Sequence, residues 1–127
     1  MHNKKYTYLF FLALFWTIIV TFLSLATIGD IGSSIPIENK DKYVHFTFYF
    51  IFVIVWFLYA NKTNIAKKVK WIVLFSAIGY GILMEICQGL FTSNRAPDVL
   101  DVIANSLGAI TGLLFITMIL KKYKTTP

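Results

Sequence analysis

The chain has 127 residues, of which 57% are hydrophobic, 17% aromatic and only 14% charged, with 12 basic residues against 6 acidic ones. Its mean hydropathy of +0.70 and a charged fraction far below the roughly 25% of soluble domains exclude an ordinary soluble globular domain and a disordered chain. The single cysteine, Cys87, excludes an intrachain disulfide framework and a multi-cysteine zinc site.

Four apolar runs follow one another. The first, residues 6–28, carries no charge and is preceded by Lys4 and Lys5. At about 1.5 Å per residue it reaches roughly 34 Å, enough for a hydrocarbon core of about 30 Å. Ser24-Leu25-Ala26 has the small residues of a signal-peptide cleavage site, but the run exceeds the usual apolar region of about 7–15 residues and reads as a retained span. The second run, residues 44–60, is short, with His45 near its start and Tyr43, Trp56 and Tyr59 available for the two interfaces. The third, residues 69–91, contains Glu85 and Gln88. The fourth, residues 99–120, has Asp101 and Asn105 near its start. Pro97 suits a first helical turn, and Asp98 and Asp101 suit the positive end of the helix dipole.

The runs are continuous and do not alternate, which predicts helices and not a barrel. No connection is long enough to separate two domains. The expected fold is therefore a single all-α domain over residues 1–127, a polytopic membrane protein built as a four-helix transmembrane bundle.

Charge sets its direction. Lys4, Lys5, Lys62, Lys67, Lys68, Lys70, Lys121, Lys122 and Lys124 fall on one side of a four-span chain, and Lys40, Lys42 and Arg95 on the other. Positive segments stay cytoplasmic, so both termini are expected inside. All six acids, Asp30, Glu38, Asp41, Glu85, Asp98 and Asp101, then lie in outer loops or at the outward ends of spans. The basic residues form short clusters without interleaved aromatics, so the expected partner is a lipid bilayer and not nucleic acid.

The polar residues gather in that outer half. Lys42, His45 and Tyr49 share a face of the second span, Asp98, Asp101 and Asn105 a face of the fourth, and Glu85 and Gln88 stand one turn apart on the third. Arg95 sits in the short loop between two of these stripes. Ionisable groups inside a membrane are costly and are candidate functional sites by default. Plainer roles stand beside that reading. The two aspartates suit helix capping, Lys42 interface anchoring, Arg95 with Glu85 a structural ion pair, and Tyr49 and Cys87 packing. Gly108 and Gly112 form a GxxxG pair that serves internal packing or, alternatively, a homodimer.

The string Asp41-Lys42-Tyr43-Val44-His45-Phe46 with Tyr49, followed by Glu85-x-x-Gln88, Arg95 and Asp101-x-x-x-Asn105-x-x-Gly108-x-x-x-Gly112, resembles the signature of the VanZ-like membrane proteins. The resemblance runs from about Asp41 to Leu120. It implies a small helical bundle in the bacterial cytoplasmic membrane, in a family named for a protein linked to reduced sensitivity to teicoplanin. It supplies a location and a context but no reaction.

Two kinds of function follow. In the first, an outward-facing site binds or modifies an envelope molecule, such as a lipid-linked or cell-wall precursor. Glu85, His45 and Asp101 are then the candidate catalytic residues, with Glu85 or His45 as general base. Lys42, Tyr49, Gln88, Arg95 and Asn105 are the candidate substrate-binding residues, Lys42 and Arg95 for an anionic phosphate or carboxylate. No cofactor and no dedicated metal motif is expected; a divalent ion held by Glu85, Asp101 and His45 is a minor option. In the second, the polar cluster is structural and the bundle is a binding or assembly partner of envelope enzymes. A transporter fits less well, because four spans are few and show no internal repeat.

Overall fold

The computed structural model describes residues 6–26, 39–63, 68–93 and 96–125. They form four helices and, among the described residues, no strand: α1 (Thr7–Leu25), α2 (Lys40–Thr63), α3 (Val69–Phe91) and α4 (Val99–Thr125). All four are long and apolar enough to cross a membrane. The chain is an all-α, multi-pass membrane protein.

The bounds of α3 coincide with the third apolar run. Helix α2 begins four residues before the second run and ends at Thr63, and α4 continues past residue 120 to Thr125. Hydropathy marks the stretch that tolerates lipid, whereas hydrogen bonding lets a helix run on through Lys40, Asp41 and Lys42 or through the terminal lysines. The early start matters, because it puts Lys42 on the same rigid helix as His45. Asn39, with φ of 57°, turns the chain into α2 in the left-handed region that asparagine tolerates. Pro97 precedes α4 instead of lying in its first turn. The cap is Asp98, whose Oδ1 accepts the Leu100 N–H at 2.8 Å. The expected end of the first span, at residue 28, lies outside the described residues.

Helix α2 packs against all three others. Its buried Tyr49, Phe52, Val53 and Phe57 meet Val20 of α1, Val73, Leu74 and Ala77 of α3, and Ala109, Leu113 and Ile116 of α4. The α2–α4 seam is a backbone contact. A Cβ on Gly108 would strike the Phe46 carbonyl, and one on Gly112 would lie 2.5 Å from the Phe50 carbonyl oxygen. The GxxxG pair is thus used inside the chain, where small residues let two helices approach closely. Large apolar side chains such as Phe15 and Phe22 of α1, Phe75 and Leu90 of α3 and Met118 of α4 remain on the outer surface. Lipid solvates such a surface at no cost; water would not.

The up-and-down order gathers the end of α1, the start of α2, the end of α3 and the start of α4 at one end of the bundle. Asp41, Glu85, Asp98 and Asp101, the acids among the described residues, all stand there. Lys62, Lys68, Lys70, Lys121, Lys122 and Lys124 belong to the opposite end.

Candidate functional site: a buried polar cluster at one end of the bundle

The site is built in three levels, each fixed by helical spacing. Outermost, Lys42 of α2 reaches three carboxylates. Its Nζ donates to Asp98 Oδ2 at 2.7 Å, to Asp101 Oδ1 at 2.8 Å and to Asp41 Oδ2 at 3.0 Å. The hydrogen bond from Lys42 holds the Asp98 carboxyl below its ordinary value of 3.8. Asp98 therefore caps α4 and closes an ion pair at the same time.

One turn further in, His45 of α2, Glu85 of α3 and Asp101 of α4 face one another. All three are buried, with exposures of 4%, 3% and 6%. His45 Nε2 lies 3.5 Å from Asp101 Oδ2 and its Nδ1 lies 3.8 Å from Glu85 Oε1. Glu85 Oε2 accepts the Asp98 backbone N–H at 3.2 Å. Ligand-type atoms of the three side chains all fall within 4.8 Å of one another.

The third level lies one more turn toward the middle of the bundle, at Tyr49, Gly81 and Asn105. Each is four residues along its helix from the member above it. Asn105 Oδ1 is 3.0 Å from His45 Nδ1. Gly81 makes room, since a Cβ there would lie 3.2 Å from Asn105 Nδ2 and 3.3 Å from the Tyr49 ring. The Tyr49 hydroxyl and Asn105 Nδ2 are fully buried and have no hydrogen-bond partner among the described residues.

The structure thus brings together Lys42, His45, Tyr49, Glu85, Asp101 and Asn105, six of the eight residues singled out from sequence. Gln88 points elsewhere. It is buried, and its amide donates to the Ser24 carbonyl of α1 at 2.7 Å. Positions three apart on a helix differ by about 60° in direction, so Glu85 faces α2 and α4 while Gln88 faces α1. Arg95 lies outside the described residues. Sequence reading missed Asp41 as a member of the lysine cluster, and the carbonyl of Ser24 as the partner of Gln88. It also missed the special place of Gly81. Asp41 was accessible by adjacency to Lys42; the other two depend on helix rotation.

Electrostatically the cluster is acidic. Asp41, Glu85, Asp98 and Asp101 stand against Lys42, and Lys42 is already engaged by three of them. Comparison with protein families matches residues 6–121 to VanZ/LLP1. The chain belongs to the VanZ/LLP1 family. No curated protein and no solved structure matches it. Within this VanZ/LLP1 chain the match takes in α1 to α3, α4 as far as residue 121, and every residue of the polar cluster.

Proposed function

We propose that this VanZ/LLP1 protein binds or modifies a cell-envelope molecule, a lipid-linked or cell-wall precursor, at a polar site facing the outside of the bacterial cytoplasmic membrane, and thereby lowers teicoplanin sensitivity. The observation that carries this reading is the meeting of His45, Glu85 and Asp101 from three separate helices, all buried at one end of the bundle. Burying ionisable groups at membrane depth is costly, and helices that need only to pack have no use for it. The outward direction follows from the lysines gathered at the other end, which the positive-inside rule keeps cytoplasmic along with both termini.

In this reading Glu85 or His45 is the general base, Asn105 holds the imidazole at Nδ1, and Asp101 stands beside Nε2. Tyr49 and Asn105 orient the substrate. Arg95 and Lys42 attract its anionic group, Lys42 by giving up one of its carboxylates. A groove of about 430 Å³ lined by Thr17, Phe52, Trp56, Tyr59, Ser76 and Tyr80 lies within the bundle's apolar depth, and an acyl or polyprenyl tail fits such a place better than a soluble molecule does.

A second reading has its own support. The three carboxylates closed around Lys42 form a lock, which suits a structural cluster in a non-catalytic partner of envelope enzymes. His45→Ala, Glu85→Gln, Asp101→Asn and Arg95→Ala separate the two. Membrane abundance is measured beside teicoplanin sensitivity and beside binding or turnover of a lipid-linked precursor by purified protein. Normal abundance with lost function is the expected result. Loss of abundance in all four variants, or precursor neither bound nor changed by the wild type, overturns the site reading.

A further inference from the structure

We infer that His45, Glu85 and Asp101 hold a divalent first-row metal cation of the Zn²⁺ or Mn²⁺ class, with Asn105 fixing the imidazole from behind. The inference rests on the reading of this cluster as a working site and gives that site its cation.

Charge comes first. Four carboxylates stand at this end, three of them around Lys42 and the fourth, Glu85, beside His45. Granting the cluster the whole charges of Lys40, Lys42 and Arg95 still leaves one negative charge in excess. An acidic surplus in which Glu85 and Asp101 are buried attracts a cation, not a phosphate.

Geometry comes second. With His45 Nδ1 donating to Asn105 Oδ1 at 3.0 Å, the lone pair of Nε2 faces Asp101 Oδ2 across 3.5 Å. A proton on Nε2 closes that gap as an imidazolium–carboxylate pair, and a divalent cation closes it while also drawing in a carboxylate from the third helix. Metal–ligand bonds of about 2.0–2.2 Å to imidazole and carboxylate span such a gap at a near-tetrahedral angle. Glu85 Oε1 stands 3.8 Å from Nδ1 and supplies the third donor by turning toward Nε2, one ligand-type atom of each of the three side chains lying within 4.8 Å of the others. Three protein donors leave a coordination position open for a substrate oxygen.

The surroundings come third. A metal-bound histidine characteristically gives its other N–H to a fixed acceptor, and Asn105, 1% exposed, occupies that place. Lys42 bonds Asp101 through Oδ1, leaving Oδ2 turned to the site. The unpartnered Tyr49 hydroxyl and Asn105 Nδ2 lie one turn below, where they can bond an oxygen carried on the cation. A divalent ion also explains how an acidic cluster recognises an anionic headgroup: the phosphate or carboxylate binds the ion, and Arg95 and Lys42 assist from the rim.

The test uses untagged full-length protein in nanodiscs, stripped with EDTA and then titrated with MnCl₂ or ZnCl₂. Total metal is read by mass spectrometry and Mn²⁺ by electron paramagnetic resonance. The expected result is a single ion per chain and a melting temperature that rises with the metal and falls with EDTA. His45→Ala and Asp101→Asn lose the ion, and Asn105→Ala binds it about 10–100-fold more weakly. Gly79→Ala, whose new Cβ meets nothing within 4 Å, retains it. Wild type that holds no ion and shows no melting shift overturns the inference, as does undiminished binding by folded His45→Ala. The wild-type melting shift decides the matter where a variant fails to fold. Precursor binding by metal-free protein sinks the cation and leaves the proposed function standing. Metal retention without precursor binding does the reverse.

Discussion

Helix α2 is joined to α4 and to α1 in two different ways. Against α4 the backbones touch, because Gly108 and Gly112 present no side chain to Phe46 and Phe50. Against α1 the helices stand further apart and are tied by polar side chains. Trp16 Nε1 donates to the Phe48 carbonyl at 3.0 Å, and Trp56 Nε1 donates to Thr17 Oγ1 at 3.0 Å. The hydroxyls of Thr21 and Tyr80 add a link between α1 and α3. Water-driven burial is absent between helices in lipid, so close packing and interhelical hydrogen bonds are what remain to hold them. The contrast matches the division of labour. The close seam carries His45, Asp101 and Asn105, whose relative positions must hold to a fraction of an ångström. Helix α1 contributes a carbonyl at Ser24 and tolerates a looser fit.

The sharpest way to break this comparison is Gly108→Leu. The new side chain must displace the Phe46 backbone, separating His45 from Asp101, and overpacking of this kind costs about 3 kcal/mol. Thermal unfolding in detergent and membrane abundance should both fall steeply. Wild-type melting would mean that close approach is not what holds the seam.

Next in size is Lys42→Met, which leaves Asp101 buried beside two further carboxylates. Breaking a buried pair costs about 3–5 kcal/mol. The Lys42 side chain is 21% exposed, so screening lowers the expectation to about 2 kcal/mol. Adding Asp101→Asn to Lys42→Met should recover part of the loss, measured as a double-mutant cycle. No recovery would show that the two groups are not coupled.

The smallest effect belongs to α1. Trp16→Phe removes one interhelical hydrogen bond, expected to cost about 0.6 kcal/mol, with the rest of the bundle and the polar cluster unchanged. A loss as large as that from Gly108→Leu would put α1 on the same footing as α4.

Much of this was readable from residue order. The stripe Lys42, His45, Tyr49 and the stripe Asp98, Asp101, Asn105 each keep one face of their helix, because the spacing of a helix is fixed whatever its neighbours do. The ends of helices were less legible. Lys40 to Lys42 are polar enough to look like a loop, yet they continue α2, and nothing in hydropathy distinguishes a wet helical turn from a wet coil. Rotation was not legible at all. Glu85 and Gln88 look like one stripe but serve different neighbours, α2 with α4 and α1 respectively. Lys42, expected to await an anion, is closed by three carboxylates.

The amino-acid order alone determined the number of spans, the segregation of acids from most lysines and the polar end of each helix, since these depend on how far each residue can leave water. Only the tertiary structure decided that His45, Glu85 and Asp101 meet, that Gly81 opens space beside Asn105 and that Gln88 turns to α1. Those facts depend on how each rod is rotated about its axis, and rotation is set by contacts between helices far apart in the chain.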